Sequence, residues 1–383
     1  MDDIFEKKVG VLTFHMAHNY GAMLQAYALA MAVQKLGYNC EIIDYRFSYI
    51  DRWSRIERLS DLVYQHGKFS GILRYLKRLI TGYYNKQDSH AKFDAFERKM
   101  IPHSKKVYRD KIELINMPYD AILFGSDQIW NSALTNGIAE EYIGGFECLP
   151  GTKKIAYAAS CGMSDFQQES KAVYNELLKE FSAIGVREKE FQKNLCARGF
   201  QAEWVLDPTL LLSIDDWKRI ISKENKLVDG RYLLLYAFDV KDEVFDFARK
   251  YAKKKGMKIV TIAYKETEAM YDMDVMTNCG PLEFLSLFAN AEHIIAASFH
   301  GTVFSIIFHK SFHCVPHPKF RDRTDSLLNM LNLSGHNVES FDKVVDEKVD
   351  WTRVDSCLEE YRRKSLNFLK LSIDDIERGF ENG

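Results

Sequence analysis

Hydrophobic and polar positions alternate along this chain in two separate series. Lys8 to His15 reads as a strand, Met16 to Gly21 as a polar turn, Ala22 to Leu36 as a helix and Asn39 to Tyr45 as a second apolar strand. Gly37 stops the helix where a left-handed C-terminal cap is expected. The connection is too long for a hairpin, so the pattern predicts a βαβ unit with parallel strands. From Phe47 to about Lys99 the chain is helical, charged and aromatic without a strand-like run, which predicts a helical insertion over 47–99. Apolar runs resume at Ala121 to Phe124, Lys154 to Ala159 and Ala183 to Val186, with a helical segment from Gln167 to Phe181. The second series has strands at Tyr232 to Phe238, Lys258 to Ala263, His293 to Ala297 and Phe312 to Val315. Helices are expected at 241–255, 281–290 and 301–309, and one or two charged amphipathic helices over 355–380.

Two such series predict an α/β chain of two doubly wound, Rossmann-like domains. The expected division is 1–203 with the insertion, a linker or hinge at 204–230 containing Asp207-Pro208, and 231–383 with the C-terminal helices. Such halves place strand C-termini and helix N-termini on facing edges, where open α/β sheets bind ligands. A length of 383 residues suits two domains with self-sufficient cores.

Charge narrows the partners. Against 54 acidic residues stand 52 Lys plus Arg, a net charge of -2, so no nucleic-acid partner is expected. The start, MDDIFEKKVGVLTFH, lacks the ordered regions of a signal peptide. The run from Ile294 to Lys310 is interrupted by Ser298, His300, Gly301 and Thr302, and it is shorter than the roughly 20 apolar residues a membrane span needs. Seven scattered cysteines without a C-x-x-C pair read as reduced thiols, and the expected location is cytoplasmic. The eleven histidines form no H-E-x-x-H array, so no metal is expected.

Four motifs follow predicted strands. In Asn19-Tyr20-Gly21, Asn19 could cap a helix whose free N–H groups make an anion site, with Gly21 permitting close backbone approach. Ordinary capping explains the same residues. G-x-G-x-x-G is absent, which counts against a standard dinucleotide cofactor. Gly125-Ser126-Asp127-Gln128-Ile129-Trp130-Asn131 carries more short polar groups than a turn requires, though helix capping and a core Trp130 also fit. In Gly185-Val186-Arg187-Glu188 the planar guanidinium of Arg187 suits carboxylate or phosphate, or else forms a surface ion pair with Glu188. In Ser298-Phe299-His300-Gly301-Thr302 the imidazole stands at a strand-to-helix switch, where it could transfer a proton beside a bound phosphate. A structural histidine is the competing reading.

Together these motifs resemble the polysaccharide pyruvyl transferase family, through NYGAMLQAYAL at 19–29, GSDQIWN at 125–131, YAAS at 157–160, VRE at 186–188, DPTLLL at 207–212 and SFHGTVFSIIF at 298–308. The resemblance implies a fold like the two-Rossmann-domain GT-B glycosyltransferases, with the site in the interdomain cleft. It implies phosphoenolpyruvate as donor and co-substrate, no cofactor, and as acceptor a sugar of a surface polysaccharide or its lipid-linked precursor. The product would be a pyruvate ketal, with phosphate released. On that reading His300 transfers the proton or contacts phosphate, Arg187 clamps the anion and Asp127 binds or deprotonates the sugar hydroxyl. Asn19, Tyr20, Gly21, Ser126, Ser298, Gly301 and Thr302 are the further substrate-binding candidates.

The chain departs from the family at Ser298, where members often carry an arginine two residues before the histidine. Arg321 and Arg323 are candidate substitutes, unless they lie in a solvated loop. Three other readings stay open: a GT-B glycosyltransferase with a nucleotide-sugar donor, a transferase of another anionic group, and a non-catalytic carbohydrate-binding protein. The insertion carries Trp53, Tyr64, Tyr75, Tyr83 and Tyr84 with Arg74, Lys77 and Arg78. It could dock a sugar chain or touch the inner face of a membrane peripherally, but an amphipathic helical pair covering the sheet is the expectation preferred. The acceptor's identity and the oligomeric state are not legible.

Overall fold

The computed structural model describes residues 7–47, 49–50, 63, 67–80, 87–221, 226–238, 240–263, 266–315, 321–338, 344 and 348–374. In these, strands β1 (Lys8–Leu12), β2 (Asn39–Tyr45), β3 (His103–Tyr108), β4 (Ala121–Phe124), β5 (Lys153–Ala159), β6 (Ala183–Val186) and β7 (Ala202–Trp204) form a parallel sheet in the order β3-β2-β1-β4-β5-β6-β7. A second parallel sheet runs β10-β9-β8-β11-β12, from β8 (Tyr232–Tyr236), β9 (Lys258–Ile262), β10 (Asp274–Met276), β11 (His293–Ala296) and β12 (Ser311–Cys314). Both are Rossmann-like α/β sheets. Their central strands are apolar throughout because helices cover both faces.

In each sheet the strand order reverses once, between β1 and β4 and between β8 and β11. The loops leaving those strands splay apart there and open a crevice. The segments after β1, β4 and β11 carry the NYG, GSD and SFHG motifs.

The helices are α1 (Tyr20–Lys35), α2 (Lys68–Ile80), α3 (Gln87–Met100), α4 (Ser132–Thr135), α5 (Lys171–Leu178), α6 (Lys189–Ala197), α7 (Ile214–Ile220), α8 (Asp242–Lys255), α9 (Pro281–Asn290), α10 (Phe299–Ile307), α11 (Arg321–Met330) and α12 (Trp351–Asp374). The two halves meet through aromatic rings: Tyr20 of α1 stacks on Phe284 of α9 at 4.6 Å, and Trp217 of α7 meets Phe304 of α10 edge-on at 5.2 Å. Helix α3 of the insertion reinforces that seam, Ser89 donating to the Cys279 carbonyl and Lys92 to that of Asn278.

The C-terminal segment corrects the sequence expectation. Its single helix α12 touches the second half in its first turns, where Trp351 stacks on His309 and Asp355 pairs with it, but its later turns cross to pack on the first sheet. Ser365 accepts from the Leu206 amide at 3.0 Å, Lys7 and Lys153 donate to the Ile373 carbonyl, and the Phe368 ring lies where a side chain on Gly185 would put its Cβ, 3.0 Å away. The covering role preferred for the insertion fits α3, whose Phe93 and Phe96 are buried, but not the face of α2 that carries Phe69, Ile72, Leu73 and Leu76, which are exposed. Trp53, Tyr64, Tyr83 and Tyr84 lie outside the described residues.

Candidate active site

The two motif loops of the first half are bound to each other by Gln25. Its Oε1 accepts from the Ser126 amide at 3.2 Å and its Nε2 donates to the Thr13 hydroxyl at 2.9 Å, while Thr13 donates to the Ser126 carbonyl at 3.0 Å. These groups are buried, so the hydrogen bonds fix the loop after β4 against α1. Asp127 then takes a left-handed conformation, φ 73°, and its carbonyl accepts from the Ser160 amide. Beyond it the motif turns inward: Ile129 and Trp130 are core, and Asn131 caps α4.

Arg187, at the end of β6, lies at the centre of the cluster. Its Nη1 donates to Asp207 Oδ2 at 2.7 Å, its Nη2 is 3.6 Å from Asp127 Oδ1, and its Nε is 3.9 Å from Glu188 Oε1. The Ser160 hydroxyl donates to Glu188 at 2.5 Å. Asp207 accepts from both the amide and the hydroxyl of Thr209 at 3.0 and 2.6 Å, and Ser126 Oγ lies 3.5 Å from it.

The second half contributes through α10. His300 Nε2 is 3.6 Å from Asp207 Oδ2, and its ring lies on the backbone of α1: a Cβ built on Gly21 would fall 2.0 Å from His300 Nδ1. That is the physical requirement for glycine in the NYG motif. Phe299 is held between two guanidinium groups, Arg187 at 5.1 Å and Arg323 at 5.4 Å from its ring centre. Arg323 Nε is also 3.8 Å from Glu188.

Electrostatics divides these groups. Burial would raise Asp207, but its contact with His300, the charges of His300 and Arg187 and the Thr209 hydroxyl outweigh it, holding the carboxyl well below the usual carboxylate range. Burial raises Glu188 against the opposing charges of Arg187 and Arg323. Burial, and then the like charge of Arg187, push Arg323 down to about 10. Among the described residues, Arg187 Nε and Nη2, Glu188 Oε2 and His300 Nε2 are buried without a hydrogen-bond partner. The unsatisfied nitrogens of Arg187 and His300 among them are groups that a bound anion would engage.

The structure therefore brings together His300, Arg187, Asp127, Ser126 and the Gly21 backbone. It commits other sequence candidates elsewhere. Asn19 accepts from the Ala22 amide as the α1 cap, and the Tyr20 hydroxyl donates to the Cys279 carbonyl across the seam. Ser298 caps α10 by accepting from the Gly301 amide, Thr302 donates to the Ser298 carbonyl, and Gly301 makes room for Tyr236. Arg321 bonds Asp325 at 3.1 Å and is half-exposed, whereas its neighbour Arg323 reaches the cluster.

Sequence reasoning gave Asp207 to a linker and Glu188 to an ion pair, and it passed over Phe299. The available signal was the Asp-Pro-Thr triplet, a carboxylate that caps its own turn after an apolar strand.

Away from this cluster, His15, Glu97 and His103 bring one ligand atom each to within 4.8 Å of one another, a grouping that sequence spacing did not show. Arg46 already pairs with Glu97 and with Asp44, which His15 also contacts at 3.2 Å, so the carboxylates are charge-compensated there. The chain also carries H-x-x-x-H spacing at His309, His313 and His317; His309 pairs with Asp355 and His313 with His293, and His317 lies outside the described residues. A groove of about 580 Å³ between α7, α10 and α12 lies at the opposite end of α10 from His300.

The model of the polysaccharide pyruvyl transferase family matches residues 19–318. The chain belongs to that family. It is thus a member of an enzyme family of the transferase class, and Arg323 lies just beyond the matched span. Among curated proteins nothing matches. In architecture the chain is similar to UDP-GlcNAc 2-epimerases of the GT-B type. The one from Neisseria meningitidis bound to UDP-GlcNAc is 9% identical, with 97% of this chain and 100% of that chain covered and a TM-score of 0.52. The one from Methanocaldococcus jannaschii is 12% identical, with 92% of each chain covered and a TM-score of 0.51. At such identities the likeness concerns the fold. Among the described residues no helix is long and apolar enough to cross a membrane.

Proposed function

We propose that this pyruvyl transferase takes phosphoenolpyruvate as donor and forms a pyruvate ketal on a sugar of a surface polysaccharide or its lipid-linked precursor, working at the cytoplasmic face of the membrane. The observation that carries this reading is the convergence of unsatisfied donors of Arg187 and His300 beside Asp207 at the mouth of both crevices.

The double bond of the donor's enol phosphate takes a proton at its methylene carbon, and one sugar hydroxyl adds to the carbon bearing phosphate. The carbon–oxygen bond to phosphate breaks, a second hydroxyl adds, and the ketal closes. One hydroxyl proton balances the methyl group formed, and the other leaves with phosphate or solvent. His300 delivers the proton, its ring set by Gly21 below and Asp207 beside it. Arg187 holds the carboxylate or phosphate, and Asp127 receives the hydroxyl proton. Arg323 supplies the second guanidinium that Ser298, occupied as a helix cap, does not. The reaction needs no nicotinamide, flavin or metal in this scheme.

Phosphate release from phosphoenolpyruvate, measured with and without lipid-linked or nitrophenyl sugars, tests it. Acceptor-dependent release supports the reading. Absence of release with every acceptor, together with thermal stabilisation by a nucleoside diphosphate and none by phosphoenolpyruvate, would replace it with nucleotide-sugar transfer.

A further inference from the structure

Helix α2 presents a row of four apolar side chains to solvent. Phe69, Ile72, Leu73 and Leu76 recur at the i, i+3, i+4, i+7 spacing of one helical face, and they are 85%, 46%, 63% and 48% exposed. The helix meets the protein on another side, at buried Gly71 and half-buried Tyr75. A monomer rarely leaves four large apolar side chains in one contiguous exposed row without a use for them. Around that row the charge has one sign: from Leu62 to Gln87 the sequence holds Lys68, Arg74, Lys77, Arg78 and Lys86 and no Asp or Glu, in a chain whose acids otherwise outnumber its bases. Arg74 and Lys77 are exposed on the flank of the apolar row.

We propose that α2 is an in-plane membrane anchor that lays Phe69, Ile72, Leu73 and Leu76 into the interfacial region of a bilayer rich in anionic phospholipid. Basic residues at the edge of an apolar helical face hold such a helix on negatively charged headgroups, and the cationic sign selects lipid over an acid-neutral protein partner. Among the described residues the helix contributes no side chain to the Arg187–His300 cluster, so the anchor is independent of the donor's identity. Its use would be to bring the cleft to an acceptor presented at the bilayer.

The test is sedimentation of the full-length protein with vesicles of phosphatidylcholine alone and of equal phosphatidylcholine and phosphatidylglycerol, at low and high salt. Binding is expected only to the anionic vesicles and to weaken with salt. Arg74→Glu with Lys77→Glu should weaken it by at least about 25-fold, taking about fivefold per charge removed. Phe69→Ser with Leu73→Ser should abolish it, while phosphate release on a soluble sugar stays at the parent level. Failure to bind either vesicle, equal binding to both, or a self-associated protein that Phe69→Ser with Leu73→Ser converts to monomer would overturn the proposal. The activity control separates these outcomes from a failure of the pyruvyl-transfer reading.

Discussion

The two halves share one architecture but bring different materials to the cleft. The first supplies the charges, Asp127, Arg187 and Glu188 with Asp207 just after its last strand, locked by Gln25, Thr13, Ser160 and Thr209. The second supplies rings and one cation: Phe299, His300 and Arg323 from α10 and α11. The charge pattern is thus pre-organised within one half, and the histidine proposed to carry the proton enters from the other. The two halves touch at the site itself, where the His300 ring lies on Gly21.

If that division holds, the second half can be disarmed without unfolding the first. His300→Ala is expected to lower ketal formation about 10²- to 10⁴-fold with the fold retained by circular dichroism, and near-parent turnover would remove His300 from the chemistry. Arg187→Ala should cost stability as well as donor binding. Stripping the cation from buried Asp207 should cost about 3–5 kcal/mol in urea unfolding, because an uncompensated carboxylate remains in the interior. A variant as stable as the parent would show that the first half does not depend on the pair.

The seam itself is probed by Gly21→Ala, whose Cβ needs the space of the imidazole. Displacing His300 by about 1 Å should reduce kcat about 10²-fold while circular dichroism stays constant. Should activity survive, the ring does not need its position on α1.

A pH titration sharpens the contrast from the side of the first half. Burial, then the charges of His15 and Arg46, lower His103 to about 4. Its folded value lies below its unfolded one, so the unfolded chain gains the proton first as pH falls. Stability is complete above about pH 6.5 and declines towards about pH 4, by roughly 2 kcal/mol after allowance for solvent. His103→Gln should flatten that limb in urea unfolding followed against pH. The smallest effect separates two neighbouring arginines: Arg323→Gln should raise the apparent Kd for phosphoenolpyruvate about tenfold, one charge-assisted hydrogen bond, and Arg321→Gln should leave it within twofold. Calorimetric titration distinguishes them, and equal effects would remove Arg323 from donor binding.

The sequence showed the central strands clearly, because a strand buried on both faces must be apolar along its length. The edge strands β3, β7 and β10 were not predicted: HSKKVY exposes three consecutive residues at the sheet edge, and AEW and DVM are too short to show a period. Helices α6, α7 and α11 are short and mostly polar and escaped for the same reason. Of the site, Arg187 and His300 were visible by their positions after strands. Asp207 was not, since a carboxylate before proline in a connecting segment looks like punctuation until its neighbours are known.

By itself, then, the sequence determined the two α/β series, the family and the loops that bear chemistry, because periodicity and strand-end motifs are local properties of a chain. Only the tertiary structure decided that α12 returns to the first sheet, that Arg323 rather than Arg321 faces Arg187 across Phe299, and that Asp207 stands between Arg187 and His300. Those are contacts between segments far apart in the chain. Burial and crossing geometry set them, and no local pattern records either.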